Sequence, residues 1–381
     1  MAWCWIGFST VDVSNWMIGL TMKKLLLALA VLCLPSAAHA DITIGVYGPL
    51  TGPVASESDY WKVGAEQAVD DINAQGGVLG QKLKLEMMDD ACDPRQAVAV
   101  MNRMVAKDVK VILNASCSGS TMAASPIADE AGIPQIVTIA LNSAVTDHGW
   151  RTVFRLSGRD NDHARVAADF LLKQAKGKKI AVIHDKSTFC RGLADLVKAR
   201  LAEGGVSDIV FLDVNPGEND FSPLIARLKN EGVGAVYLGL FMREGGLFVR
   251  QARDQKLQAL MVGASTLSLP EFKHITGDAG EGFYTVRAAE PPKVTPEVVE
   301  RLKARGRMEP NVLTYGSYAA IETLAQAMTR AGAADSAKVV QELGHGRFTT
   351  LMGPLSFNAK GDSDLPVALL QWRGREVVAV P

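Results

Sequence analysis

What this chain lacks narrows its chemistry first. Its 381 residues hold only five cysteines and six histidines. No C-x-x-C occurs and the histidines are scattered, so no zinc ligand set can be read from the sequence. There is no G-x-S-x-G elbow for a nucleophilic serine. The loop after the first expected strand, GVYGPLTGP over 45–53, lacks the G-x-G-x-x-G of a dinucleotide site. An enzyme needs a converging acid, base or metal set, and the histidines, one of them in the leader, do not supply it. Charge of one sign is missing as well: 40 Lys and Arg stand against 41 Asp and Glu. That balance gives no electrostatic footprint for nucleic acid and no acidic tail. The apolar run at the N-terminus stops at ten residues, 25–34, short of the roughly 20 that span a bilayer.

That short run has a different reading. Lys23-Lys24, the apolar run and Ala38-His39-Ala40 form the charged, apolar and small-residue parts of a cleavable secretory signal. Residues 1–21 fit no part of one, so Met22 is the expected start and Asp41 the expected first residue of the mature chain. The 341 residues from Asp41 retain 38 basic and 40 acidic side chains once Lys23, Lys24 and Asp12 are set aside. At that length two domains are the better expectation. The expected product is soluble in the periplasm and not membrane-embedded. In that oxidising compartment one pair among Cys92, Cys117 and Cys190 is expected to bridge.

What is there from residue 41 is alternation. ITIGVYG at Ile42–Gly48 reads as a buried strand. A helix over 58–73 follows, with Trp61, Ala65, Ala68 and Ile72 on one face and Gly76-Gly77 as its stop. Residues 83–88 read as a strand. Asp93-Pro94 then opens a helix with an N-cap acid and a first-turn proline. Strands at 109–113 and 136–140 follow. The grammar restarts after Arg155-Leu156-Ser157-Gly158, with strands at Lys179–His184, Ile209–Asp213, 235–240 and 259–263 and helices between them. A helix over 314–331 and the ending 351–380 pack back across these units. Apolar strands alternating with amphipathic helices predict parallel sheets covered on both faces. Two such rounds predict two doubly wound α/β lobes, whose strand ends meet at a cleft.

Between the third strand and its helix stands SCSGST, Ser116–Thr121. Small polar residues there suit a nucleophile, an anion cradle at a helix start or plain capping. The residues that decide lie elsewhere. GAEQAVDDINAQGGVLGQKL, DDACDPRQAVAV, CSGST, IAVIHDKSTFCRGLA, FSPLIARLK and MGPLSFNAKGD, in this order, resemble the periplasmic solute-binding proteins of the leucine/isoleucine/valine type that feed ABC importers. The likeness covers essentially all of 41–381. It implies two lobes joined by three crossover strands, lobe 1 being 41–158 plus 289–353 and lobe 2 being 159–288 plus 354–381. It implies a monomer that closes on a small carboxylate, such as a branched-chain amino acid, and delivers it to an inner-membrane permease. No cofactor is implied. A sensory protein on the same fold is the alternative role.

The resemblance also assigns residues. The segment after the third strand holds the ligand carboxylate, through backbone N–H groups and the Ser118 hydroxyl. A disulfide joins Cys92 to Cys117, leaving Cys190 free as a buried small hydrophobe. Ile139, Ala140, Leu141 and Asn142 border the ligand at the end of the fourth strand. The pocket departs from the branched-chain pattern elsewhere. Ser265 stands where an acid usually meets the ligand ammonium. Glu57 replaces a first-loop tyrosine, Leu141 a threonine, and Phe189 and Phe241 two tyrosines. Either Glu57 takes the ammonium or the ligand has none, in which case an aromatic or other organic acid suits the two rings. Asp160 and Asp162, past the first crossover, are hinge or cleft-rim candidates. Tyr47 is expected in packing, and Arg243-Glu244 as a solvated pair.

Overall fold

The structure, a computed structural model, describes residues 1–3, 40–288, 294–363 and 365–380. The signal-peptide expectations for 22–39 lie outside the described residues. In chain order the first sheet and its helices are β1 (Ile42–Gly48), α1 (Ser58–Ala74), β2 (Leu83–Asp89), α2 (Pro94–Ala106), β3 (Val111–Asn114), α3 (Ser118–Glu130), β4 (Gln135–Val137), α4 (Ala144–Asp147) and β5 (Val153–Arg155). The second series runs α5 (Asp160–Gln174), β6 (Lys179–His184), α6 (Thr188–Glu203), β7 (Ile209–Asp213), α7 (Ser222–Asn230), β8 (Val233–Gly239), α8 (Met242–Asp254), β9 (Leu260–Gly263), α9 (Pro270–Thr276) and β10 (Tyr284–Ala288). Then come α10 (Pro296–Gly306), α11 (Val312–Ala331), α12 (Ser336–His345), β11 (Arg347–Thr350), β12 (Gly353–Ser356), β13 (Val367–Arg373) and β14 (Glu376–Ala379).

Local chemistry sets many of these bounds. Asp93 has an extended backbone, and its carboxylate accepts from the N–H groups of Arg95 and Gln96 at 2.9 and 3.0 Å, with Pro94 in the first turn. Gly77 ends the turn after α1 at φ +78°, and a Cβ there would lie 2.0 Å from the Gln81 carbonyl oxygen. Only glycine fits that approach. Asn311 caps α11 by accepting from Leu313 and Thr314 while the Thr314 hydroxyl accepts from the Asn311 N–H, a reciprocal capping box.

The strands sort into two main sheets. The first has order β2-β1-β3-β4-β5, all parallel. The second has order β14-β13-β10-β9-β8-β6-β7, parallel from β10 to β7. β13 and β14 join it antiparallel at one edge. This is the doubly wound α/β architecture in two lobes, each with its own buried apolar core: Ile44, Val46, Trp61 and Ile321 in one, Val236, Phe248, Phe272 and Trp372 in the other.

One expected boundary moves. The second lobe was expected to take up the chain again at residue 354. Instead β12 pairs with β11, Phe357 packs on Phe154 at 5.2 Å in the first core, and Asp362 is ion-paired with Arg155 of β5. Residues 354–363 therefore stay with the first lobe, and the return to the second sheet follows them. The cause is burial: Phe357 packs with Phe154 and Phe348 in the first core. Residues 41–381 form one compact unit. Among the described residues no helix is long and apolar enough to cross a membrane.

Candidate functional site

Both sheets change direction at one point. In the first, β1 lies between β2 and β3; in the second, β6 lies between β7 and β8. Loops leaving such neighbouring strands diverge and leave a crevice at the carboxyl ends. The loops after β1, β3 and β4 face those after β6, β8 and β9 across one cavity, where about 90 Å³ is open to the centres of water-sized molecules. Eight residues singled out by sequence line it: Glu57, Ser118, Ile139, Ala140, Leu141, Phe189, Phe241 and Ser265.

The first-lobe wall is held from behind. Ser118 is the first residue of α3, so the N–H groups of Ser118, Gly119 and Ser120 have no intrahelical acceptor. The Ser118 hydroxyl accepts from the Asn142 N–H at 3.3 Å. Beneath, the Asn114 amide donates to the Tyr47 hydroxyl at 2.6 Å and to the Gln135 amide oxygen at 2.9 Å. The Asn114 oxygen accepts from the Ser116 N–H and the Thr121 hydroxyl. Tyr47 is fully buried in this network and does not line the cavity. Cys92 and Cys117 are joined, Cα to Cα 5.4 Å over 25 positions, which ties the α2 start to the α3 start. Burial pushes the free Cys190 thiol up, away from the reactive thiolate.

The first loop is organised by Asp89 at the end of β2, which accepts from the Leu50 N–H at 2.8 Å and the Thr51 hydroxyl at 2.6 Å. This loop delivers Glu57, only 5% exposed, to the cavity. Burial, and then the charge of Glu271 in α9, push its carboxyl up to about 7.

The second-lobe wall is apolar. Ser187 caps α6 by accepting from the Cys190 N–H at 3.1 Å, which sets Phe189 in the first turn. Phe241 precedes α8, and the two rings lie 6.1 Å apart. Ser265 follows β9 and brings no charge. Next to it, Thr266 donates to the Leu240 carbonyl at 2.8 Å. Glu244, expected in solvent, is instead buried and accepts from the Gly217 N–H at 2.9 Å, while Arg243 is exposed.

The floor lies at the crossovers, with Leu156, Ser157, His163, Arg287 and Ala288, and α11 adds Val312, Leu313 and Gly316. Burial pushes the His163 imidazole down to about 4, so it is neutral at pH 7. Arg155, with no exposed surface, donates to Asp362 at 2.8 Å through Nε and to the carbonyls of Leu141 and Asn142 at 2.9 and 2.6 Å. One buried ion pair therefore fixes both the crossover and the loop that carries Leu141. Arg159 also reaches Asp362, at 2.7 Å.

Two sequence candidates are not in the cavity. Asp162 lies in the first turn of α5 with its side chain 54% exposed, 3.8 Å from Arg165, because the helix turns its buried face through Asp160 and His163 instead. Asp160 is buried at the crossover and accepts from the Ser143 N–H at 3.0 Å. Asn142 does not line the cavity; its side chain crosses the seam and donates to the Thr188 carbonyl at 3.3 Å. Sequence reasoning missed His163, Arg287 and the α11 residues. The one available signal was a charged Arg287 inside the apolar run YTVRA. Among the described residues no group of three His, Cys, Asp or Glu side chains could hold a metal ion.

Comparison with known proteins agrees with this geometry. A family model described as "Periplasmic binding protein" matches residues 41–376. The Leu/Ile/Val-binding protein homolog 3 of Brucella melitensis is 38% identical over 350 residues, covering 91% of this chain and 95% of that one. A leucine-binding protein from Thermotoga maritima superposes with a TM-score of 0.81 at 24% identity, covering 89% of this chain and 98% of that one. A Rhodopseudomonas palustris solute-binding protein, solved in complex with benzoate, gives 0.80 at 20% identity, covering 89% and 95%. The relatives are binding proteins of transport systems, not enzymes. On its two-sheet fold, its cleft and a match along nearly the whole of 41–381, this chain belongs to the periplasmic binding protein family of the Leu/Ile/Val-binding type.

Proposed function

We propose that this protein captures a small amino acid of the branched-chain class in the periplasm and hands it to an inner-membrane ABC permease. It acts as a monomer, after removal of residues up to Ala40. The single observation that carries the ligand reading is the start of α3 at the cavity wall: free N–H groups, the Ser118 hydroxyl and the positive end of a helix. A carboxylate placed there meets charge-assisted hydrogen bonds. Ile139, Ala140, Leu141, Phe189 and Phe241 then cover the apolar part, with Ser265 and Glu57 at its edge.

The test is calorimetry of the mature protein with leucine, isoleucine and valine. Ser118→Ala should weaken the tightest of them by about tenfold, one charge-assisted bond. Unchanged binding would remove the cradle. A second reading is favoured by two facts: the paired rings at 6.1 Å and the uncharged Ser265. On it the ligand is an aromatic acid, and benzoate would bind more tightly than any aliphatic amino acid.

A further inference from the structure

Two carboxylate oxygens remain unanswered beside the cleft, one from each lobe. Glu57 Oε1 and Glu271 Oε2 are buried and, among the described residues, have no hydrogen-bond partner. Glu57 belongs to the first lobe and Glu271, in α9, to the second. Glu57 lines the ligand cavity and also a second cavity of about 550 Å³, which Glu271, Arg243, Arg250 and His274 share. Tyr60, three residues past Glu57, donates its hydroxyl to Glu271 Oε1 at 2.8 Å across the seam. That bond holds Glu271 in place and leaves its other oxygen unpaired. The two arginines of that cavity are engaged elsewhere, Arg243 with the Asn219 side chain and Arg250 with the Ile275 carbonyl.

A buried carboxylate without a partner is costly, and two of like charge facing one another cost more. A positive group placed between them turns both penalties into attraction. We propose that Glu57 and Glu271, with Tyr60 as the positioning residue, form a seat for a cationic group of the ligand, one carboxylate from each lobe. This rests on the reading above, in which the other end of the ligand is a carboxylate at Ser118. It adds that the cation is read by both lobes at once, so the seat is complete only when they meet. The ligand class is a zwitterion with a primary ammonium, whose several N–H donors can serve two acceptors.

The experiment compares L-leucine with 4-methylpentanoic acid, the same skeleton without the ammonium, by calorimetry. They are run on the wild type, Glu57→Gln, Glu271→Gln and Tyr60→Phe, alongside a panel of the other amino acids, amines and organic acids. Each glutamine variant should bind leucine at least tenfold more weakly. The acid should bind every variant at least as well as it binds the wild type. Tyr60→Phe should lower leucine affinity severalfold, and it serves where Glu271→Gln does not fold. Should the tightest wild-type ligand be a cation other than an amino acid, weakened by Glu271→Gln, the amino-acid reading fails while the seat stands. Should Glu271→Gln and Tyr60→Phe leave the binding of a cationic ligand unchanged, or the tightest ligand lack a cationic group, the proposal is overturned.

Discussion

The two walls of the cavity are built on opposite plans. The first-lobe wall is braced by a disulfide, a buried amide network around Asn114 and the Arg155–Asp362 pair. The second-lobe wall is two rings and a serine at helix starts, set by ordinary caps. A wall braced by polar networks keeps its donors aimed, as a charge-binding cradle must. A wall of rings gains by covering apolar surface, which is non-directional. On the proposed reading, the difference gives the carboxylate end of a ligand fixed donors in the first lobe and its apolar part a cover in the second.

The comparison breaks hardest at the ion pair. Asp362→Ala leaves the Arg155 guanidinium buried and uncompensated, which should cost about 3–5 kcal/mol of stability. Urea denaturation of the ligand-free protein checks this. A loss no larger than that of an exposed pair would mean that the crossover is not braced there. Removing the bridge by Cys92→Ser with Cys117→Ser should cost about 3 kcal/mol on the chain-entropy model. Thiol counting on the unfolded, unreduced mature protein should find one reactive group, Cys190; three would refute the bridge.

Glu57 gives a pH signature. Its folded carboxyl is raised from 4.5 to about 7, so the folded state holds this proton more tightly than the unfolded chain does. Ligand-free stability should therefore fall as pH rises from about 4.5 and level off above about 7, by at most about 3 kcal/mol from this group. Glu57→Gln removes that part of the slope. Parallel slopes for variant and wild type between pH 5 and 8 would contradict the buried placement. The smallest effect is expected on the enclosing wall. Phe241→Ala should lower ligand affinity by about tenfold, roughly 1.4 kcal/mol, and change the melting temperature less than either first-lobe variant does. A melting loss equal to that of Asp362→Ala would erase the distinction between the walls.

Legibility in the sequence followed the strength of local signals. β6 and β7 appear at the bounds that their apolar runs imply, and the caps at Asp93 and Gly77 stop or start helices where expected. β5 is three residues long, too short for a periodic pattern, and it was not anticipated. β11 to β14 pair antiparallel through contacts that no local window holds. In the site, eight of ten proposed ligand residues reach the cavity, because each lies in a segment leaving the carboxyl end of a strand, which alternation locates. Asp162 lies away from the cavity because one helical step of about 100° separates its face from that of His163, and side-chain type does not report the rotation. Glu244 failed because a buried acid and a solvated one look alike until the Gly217 N–H that it serves is in place.

Alternating apolar strands and amphipathic helices, each readable within some fifteen residues, determined the α/β class, the two rounds and the strand ends that make the cleft. The tertiary structure alone decided which lobe keeps residues 354–363, that Arg155 finds Asp362 207 positions away, and that Glu57 and Glu271 line one cavity, each with an oxygen unpaired among the described residues. The reason is the range of the forces. Periodicity and capping act between neighbours in the chain, whereas the burial of charge depends on which distant surfaces exclude water together.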